Sequence, residues 1–172
     1  REKERGTMEV LLASPLKQGT MIFAKTIPYM IISFIDFLII LLLSYFILNV
    51  PVNGSLLLLF LVAIIYITLT LTYGLTVSTL VDKQVNAVIV SAITAMIPVL
   101  MLSGMIFPID NMPRVLQAFS SIVPARWFIA AVRKVMIQGQ GTIMIWKELL
   151  IMIGMTLFLL GVTIFKTKKR LE

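Results

Sequence analysis

At 172 residues, with 59% hydrophobic and only 13% charged side chains, this chain cannot have water as the solvent for most of its surface. Its formal charge of +7 comes from cations at the ends of apolar runs, not from one patch, which points to a lipid surface and away from nucleic acid. With no Cys and no His, the chain can form no disulfide, no thiolate or imidazole metal site, no Cys nucleophile and no His general base.

The chain opens Arg-Glu-Lys-Glu-Arg, without an initiator Met or the apolar run of a signal peptide, and reads as the later part of a longer membrane protein. Residues 1–20 form a cytosolic segment. Within it Thr7 can cap a short helix over 8–14, Glu9 complements the positive helix end, and Pro15 stops it. Met8, Leu11 and Leu12 share one face, which suits either a lipid-surface anchor or a knob that docks a cytosolic protein.

Four apolar segments follow, 27–50, 55–80, 85–107 and 143–165, each near the ~20 residues a helix needs to cross ~30 Å of hydrocarbon. The fold class is therefore an all-α membrane protein with four transmembrane helices. In the first span Lys25 can snorkel to the headgroups, and Pro28 is tolerated near the beginning. Asp36 sits close to mid-span. An acid there is costly, so it is expected to face protein or a cavity, either as a functional group or as a protonated or hydrogen-bonded packing residue.

The second span ends in a polar run. At 100° per residue Thr68, Thr72, Thr76 and Thr79 fall in one stripe. They read either as tight helix packing, with hydroxyls bonded to the preceding turn, or as the lining of a solute path. The third span carries Asn86, Ser91, Thr94 and Pro98, and a kink is expected at the proline because its amide is missing.

Between the third and fourth spans, residues 108–142 are punctuated by Pro108, Pro113 and Pro124, which leaves helical pieces too short to cross. They should dip into the outer leaflet or lie on it. One piece carries Leu116, Phe119 and Ile122 or Val123 on a face; the next, from Ala125 to Gln138, sets Trp127 and Phe128 beside Arg126, an interfacial mixture. Gly139 and Gly141 release the chain into the last span, and 166–172 form a basic tail.

Lys and Arg fix the orientation. Arg1, Lys3, Arg5, Lys17, Lys25, Lys83, Lys166, Lys168, Lys169 and Arg170 fall on one side, and only Arg114, Arg126, Arg133, Lys134 and Lys147 on the other. Both termini are predicted cytoplasmic. No phosphate-binding Gly-x-x-x-x-Gly-Lys-Ser/Thr loop is present, the acids Asp36, Asp82, Asp110 and Glu148 are scattered, and no His activates a Ser or Thr. Enzyme chemistry in this chain is not expected.

Two blocks carry a resemblance. Glu4-Arg5-Gly6-Thr7-Met8-Glu9 with Leu11-Leu12-Ala13-Ser14-Pro15 resembles the cytosolic segment of ABC-2 type transporter permeases. Ser103-Gly104-Met105-Ile106-Phe107-Pro108, Met112-Pro113 and Pro124-Ala125-Arg126-Trp127-Phe128 resemble the outer re-entrant region before that family's last helix. The resemblance covers essentially the whole chain as the last four of six spans. It implies a coupling helix whose Arg5, Gly6, Thr7, Glu9, Leu12 and Pro15 dock a separate ATP-binding subunit. It also implies an outer gate that includes Ser103, Gly104, Pro108, Pro113, Pro124, Arg126 and Trp127. ATP-Mg would sit on the partner, with no cofactor in this chain. Two permease copies, or one and a paralogue, would form the working exporter in a bacterial inner membrane, moving drugs, lipids, polysaccharides or ions. Two rival readings follow from the residues: a proton-coupled secondary transporter using Asp36, and a membrane assembly protein that moves nothing.

Overall fold

The computed structural model describes residues 18–81 and 83–169, and every regular element among them is helical. Residues 1–17 of the expected cytosolic coupling segment lie outside the described residues, and the last three, 18–20, begin the first helix. Four stretches are long and apolar enough to cross a membrane: Thr26–Phe46, Leu56–Leu80, Val85–Leu102 and Thr142–Phe165. In hydrocarbon every backbone amide must be satisfied internally, so long apolar runs settle as helices. The chain is an all-helical, multi-pass membrane protein.

Helix α1 (Gln18–Phe46) contains Pro28 and continues through it. Its end is closed by Asn49, whose positive φ of 51° lets the amide of Val50 reach back to the carbonyl of Ser44 at 3.1 Å. A left-handed residue just past the helix thus lets a following amide satisfy a carbonyl that the helix leaves over. The tight turn that follows delivers the chain into α2 (Leu56–Leu80).

Helix α2 is the centre of the molecule. Its Leu58, Leu59, Val62 and Leu69 pack against Ala131, Val135 and Met136 of α6 (Pro124–Met136) and against Ile145 and Met152 of α7 (Thr142–Lys169). Lipid tails are as apolar as these side chains, so association here comes from close packing and interhelical hydrogen bonds more than from the hydrophobic effect. Tyr66 of α2 stacks on Phe128 of α6 with ring centroids 4.1 Å apart. Along α7 the buried residues Ile145, Glu148, Met152, Thr156 and Thr163 recur at steps of three, four and seven residues and so form one stripe.

The third span is one broken helix: α3 (Gln84–Ser91), a π-helical turn over Ala92–Met96, and α4 (Ile97–Leu102). The π turn lies just before Pro98, which is how the helix absorbs the missing amide that the sequence marks as a kink. The helix ends at Leu102, short of the expected 107, because Gly104 turns the chain at φ 83°. A short 3-10 turn over Ile109–Asn111 leads to α5 (Arg114–Ser120), and α6 follows at a bend of 87°. At 1.5 Å per residue these two helices are about 10 and 20 Å long, so neither alone crosses ~30 Å of hydrocarbon.

Candidate functional site

The bend between α5 and α6 brings together most of the residues expected to form an outer gate. Pro113 precedes α5 and Pro124 opens α6, the position where a missing amide costs nothing. Arg126 folds back over the bend and donates to the carbonyl of Gln117 and the hydroxyl of Ser121, each at 2.9 Å. Its guanidinium lies 5.1 Å from the Trp127 ring centre, and Trp127 Nε1 donates to the carbonyl of Ser121 at 2.9 Å. The end of α5, whose carbonyls have no intrahelical donors, is thus closed by side chains of the next helix.

Ser103 and Gly104 join this cluster through a neighbour. The hydroxyl of the fully buried Ser120 donates to the carbonyl of Leu102 at 2.5 Å, tying α5 to the end of the third span. Ser103 is buried and accepts from the amide of Met105 at 3.3 Å, and Pro108 accepts from the amide of Asn111 at 3.1 Å. The residues Gln117, Ser120 and Ser121 do this joining, and sequence reasoning missed them. Their signal was faint: polar residues at the end of a helix just before a proline, where free carbonyls collect.

A second missed group lies at the other end of α6. Lys134 Nζ sits 2.8 Å from Glu148 Oε1 on α7 and 3.2 Å from the carbonyl of Met144. Glu148 is only 5% exposed and its Oε2 has no hydrogen-bond partner. The two residues are fourteen apart with a turn between them, so no helical spacing links them. The available clue was that an acid inside an apolar span needs a cation nearby.

The threonine stripe is brought against α7. Thr72 and Thr76 are buried, and Thr76 meets the hydroxyl of Thr163 at 2.8 Å. Thr68, Thr72 and Thr76 each donate to the carbonyl four residues back, and Thr79 to the one three back. Asp36 is placed elsewhere. It lies on an exposed face of α1, whose neighbours Ile32, Ile39 and Ile40 are also exposed, so among the described residues it faces neither the protein nor the cavity that the sequence led us to expect. Arg5, Gly6, Thr7, Glu9, Leu12 and Pro15 lie outside the described residues. Among the described residues no group of three or more His, Cys, Asp or Glu could hold a metal.

Spanning helices, one of them broken, with a sharply bent pair of shorter helices between the third and the last, define an all-helical, multi-pass membrane protein. The family model described as ABC-2 type transporter matches residues 1–137, and the chain belongs to that family. It is 39% identical, over its whole length, to the Escherichia coli K12 protein named probable multidrug ABC transporter permease YbhS, covering 46% of that protein. It is 31% identical over 87% of its length to the probable multidrug ABC transporter permease YbhR of the same strain, covering 40% of it. Against the Dictyostelium discoideum ABC transporter G family member 20 it is 23% identical over 99% of its length, covering 23% of that protein. The chain thus spans about half the length, or less, of the curated relatives it matches. No solved structure matches it.

Proposed function

We propose that this chain is the permease part of an ATP-driven exporter of the ABC-2 type, forming the translocation path without bond chemistry of its own. The observation that carries the reading is the 87° helix pair, stitched to the end of the third span by Ser120 and to α7 by Lys134, in a chain whose family relatives are named ABC transporter permeases. A pair too short to cross, held at the ends of spanning helices, suits a plug that closes one mouth of a path. Ser103, Gly104, Pro108, Pro113, Pro124, Arg126 and Trp127 are its working parts, and the Thr68, Thr72, Thr76 and Thr79 stripe is the proposed seam beside the path.

Energy enters from outside the chain. A separate subunit holds ATP-Mg, and its closure is passed to the spans through Arg5, Gly6, Thr7, Glu9, Leu12 and Pro15. For nucleotide to drive transport, the docking segment must bind the partner differently in two states of the permease. Both ends of the chain face the cytoplasm of an inner membrane, as the Lys and Arg bias indicates. Two copies, or a copy and a paralogue, enclose the path. That pairing, or further helices of a longer protein, also gives Asp36 the cover that an acid in hydrocarbon requires. Two relatives carry multidrug names, so cationic dyes are the first solutes to assay.

The test is co-purification of the full-length protein with its ATP-binding subunit, comparing the parent with a Glu9→Arg and Leu12→Asp double variant. The double variant should lose the partner and with it nucleotide-dependent dye efflux. Full retention of the partner removes the docking assignment. A second reading, proton-coupled transport, is favoured by Asp36 lying exposed in mid-span among the described residues. It requires that Asp36→Asn abolish flux in membranes lacking the ATP-binding subunit.

A further inference from the structure

The turn over residues 49–54 looks in sequence like a bare connection, yet it grips the far end of α6. The amide of Asn53 donates to the carbonyl of Met136 at 2.9 Å, and its side-chain Nδ2 donates to the carbonyl of Ile137 at 3.0 Å. These are carbonyls that a helix end leaves without intrahelical donors, and here another segment supplies them. Gly54 lies so close beneath α6 that a Cβ would collide with the carbonyl oxygen of Val135. Only glycine allows that approach. From the other side Gly139, at φ 63°, turns the chain back over Asn53, and its ideal Cβ would lie 3.4 Å from that of Asn53. The same end of α6 carries the Lys134 link to α7.

At the opposite end of α6, Phe128 stacks on Tyr66 of α2. There, among the described residues, the side chains of Arg126 and Trp127 hydrogen-bond back to the end of α5 and the bend, and α5 is tied to the third span by the bond of Ser120 to Leu102. One end of the hairpin is therefore fastened to α1–α2 and α7, and the other to the third span.

We infer that Asn53 and Gly54 are positioning residues that pin the C-terminal end of α6, so that the outer hairpin opens at the bend over residues 121–123 and not at its joint with the 49–54 turn. The inference rests on the reading of the hairpin as the exit closure and locates the moving part of it. Apolar packing around Val135 and Ala131 adds to the fixed end, whereas Val115, Leu116 and Phe119 of α5 are exposed.

Because these 172 residues hold no cysteine, the joint can be probed with Asn53→Cys plus Gly139→Cys in the full-length protein, with any cysteine elsewhere in it replaced by serine. A Cβ separation of 3.4 Å is at the near edge of the ~3.5–4.5 Å that disulfides adopt, so the pair should close with little backbone shift. In membranes containing the ATP-binding subunit, disulfide yield should be high and equal without nucleotide and after trapping with ATP, Mg²⁺ and vanadate. A several-fold fall on trapping overturns the inference, as does failure to form the bond in either state. Should a cysteine in the left-handed conformation at position 139 keep the protein from the membrane, Asn53→Cys alone takes over. Its reaction with an impermeant maleimide should run at one rate in both states, while that of Val115→Cys on α5 changes. An altered rate at position 53 contradicts the pinned joint. An unchanged rate at 115 beside an intact 53–139 disulfide sinks the exporter reading and the hinge with it, leaving the joint as geometry alone.

Discussion

Helix α6 and the third span both lie beside α2, and they are held there by different means. Helix α6 buries Ala131 and Val135 completely, stacks Phe128 on Tyr66, and has its C-terminal end caught by Asn53, Gly54 and Glu148. Within the third span, Val85–Leu102, no residue is buried among the described residues; its ties include the hydroxyl pair of Tyr73 and Thr94 and the bond of Ser120 to the last carbonyl. In lipid, where apolar contact adds little over a lipid tail, such ties and close approaches decide which helices form one rigid block. The structure thus separates a stapled core of α2, α6 and α7 from a broken helix lightly attached to it.

The largest blow to that contrast is Lys134→Met. It strands the Glu148 carboxylate, and the loss should be on the order of 3 kcal/mol, the lower end for a broken buried pair because the Lys134 side chain keeps 33% exposure. Unfolding of the purified protein against rising SDS mole fraction measures it. Adding Glu148→Gln to the same protein should restore most of the loss, and no restoration would mean the pair was not the cause.

The pair also marks the limit of what the residues alone could tell. Span number and helical class were legible, since twenty apolar residues in a row have few other solutions and the prolines at 113 and 124 force short pieces between them. The buried, hydroxyl-bonded character of Thr72 and Thr76 was one of the two readings their spacing allowed. Their meeting with Thr163, eighty-seven residues later, could not, because register between two helices depends on packing. The cluster around Arg126 came from family resemblance, while its partners Gln117, Ser120 and Ser121 needed the bend angle. Asn53 gave no signal beyond that of a turn residue, since a cap supplied from another segment leaves no local pattern. Asp36 was legible as costly but not as outward-facing within this chain.

Smaller changes sharpen the same comparison. Gly54→Ala drives a methyl group into the carbonyl of Val135, and about 2 kcal/mol of overpacking should appear as a lower thermal midpoint in detergent. Wild-type stability in that variant would show that the turn yields freely. Removing only the Asn53 side-chain bond, with Asn53→Ala, should cost about 1 kcal/mol and raise proteolytic cleavage in the 137–142 loop. On the loose side, Tyr73→Phe deletes the hydroxyl contact to Thr94 and should change stability by only about 0.6 kcal/mol, as interhelical bonds in membranes average, when assayed by the same SDS titration. A loss there as large as that of Lys134→Met would erase the distinction between the two regions.

The most direct measurement is a pair of spin-label distances in the full-length protein with its ATP-binding subunit, taken without nucleotide and after vanadate trapping. Labels at Leu57 and Arg133 span the stapled block, and labels at Val115 and Arg133 span the bend; all three positions are exposed. The account predicts an unchanged 57–133 distance and a shifted 115–133 distance. A shift between 57 and 133, with 115–133 held constant, would contradict it.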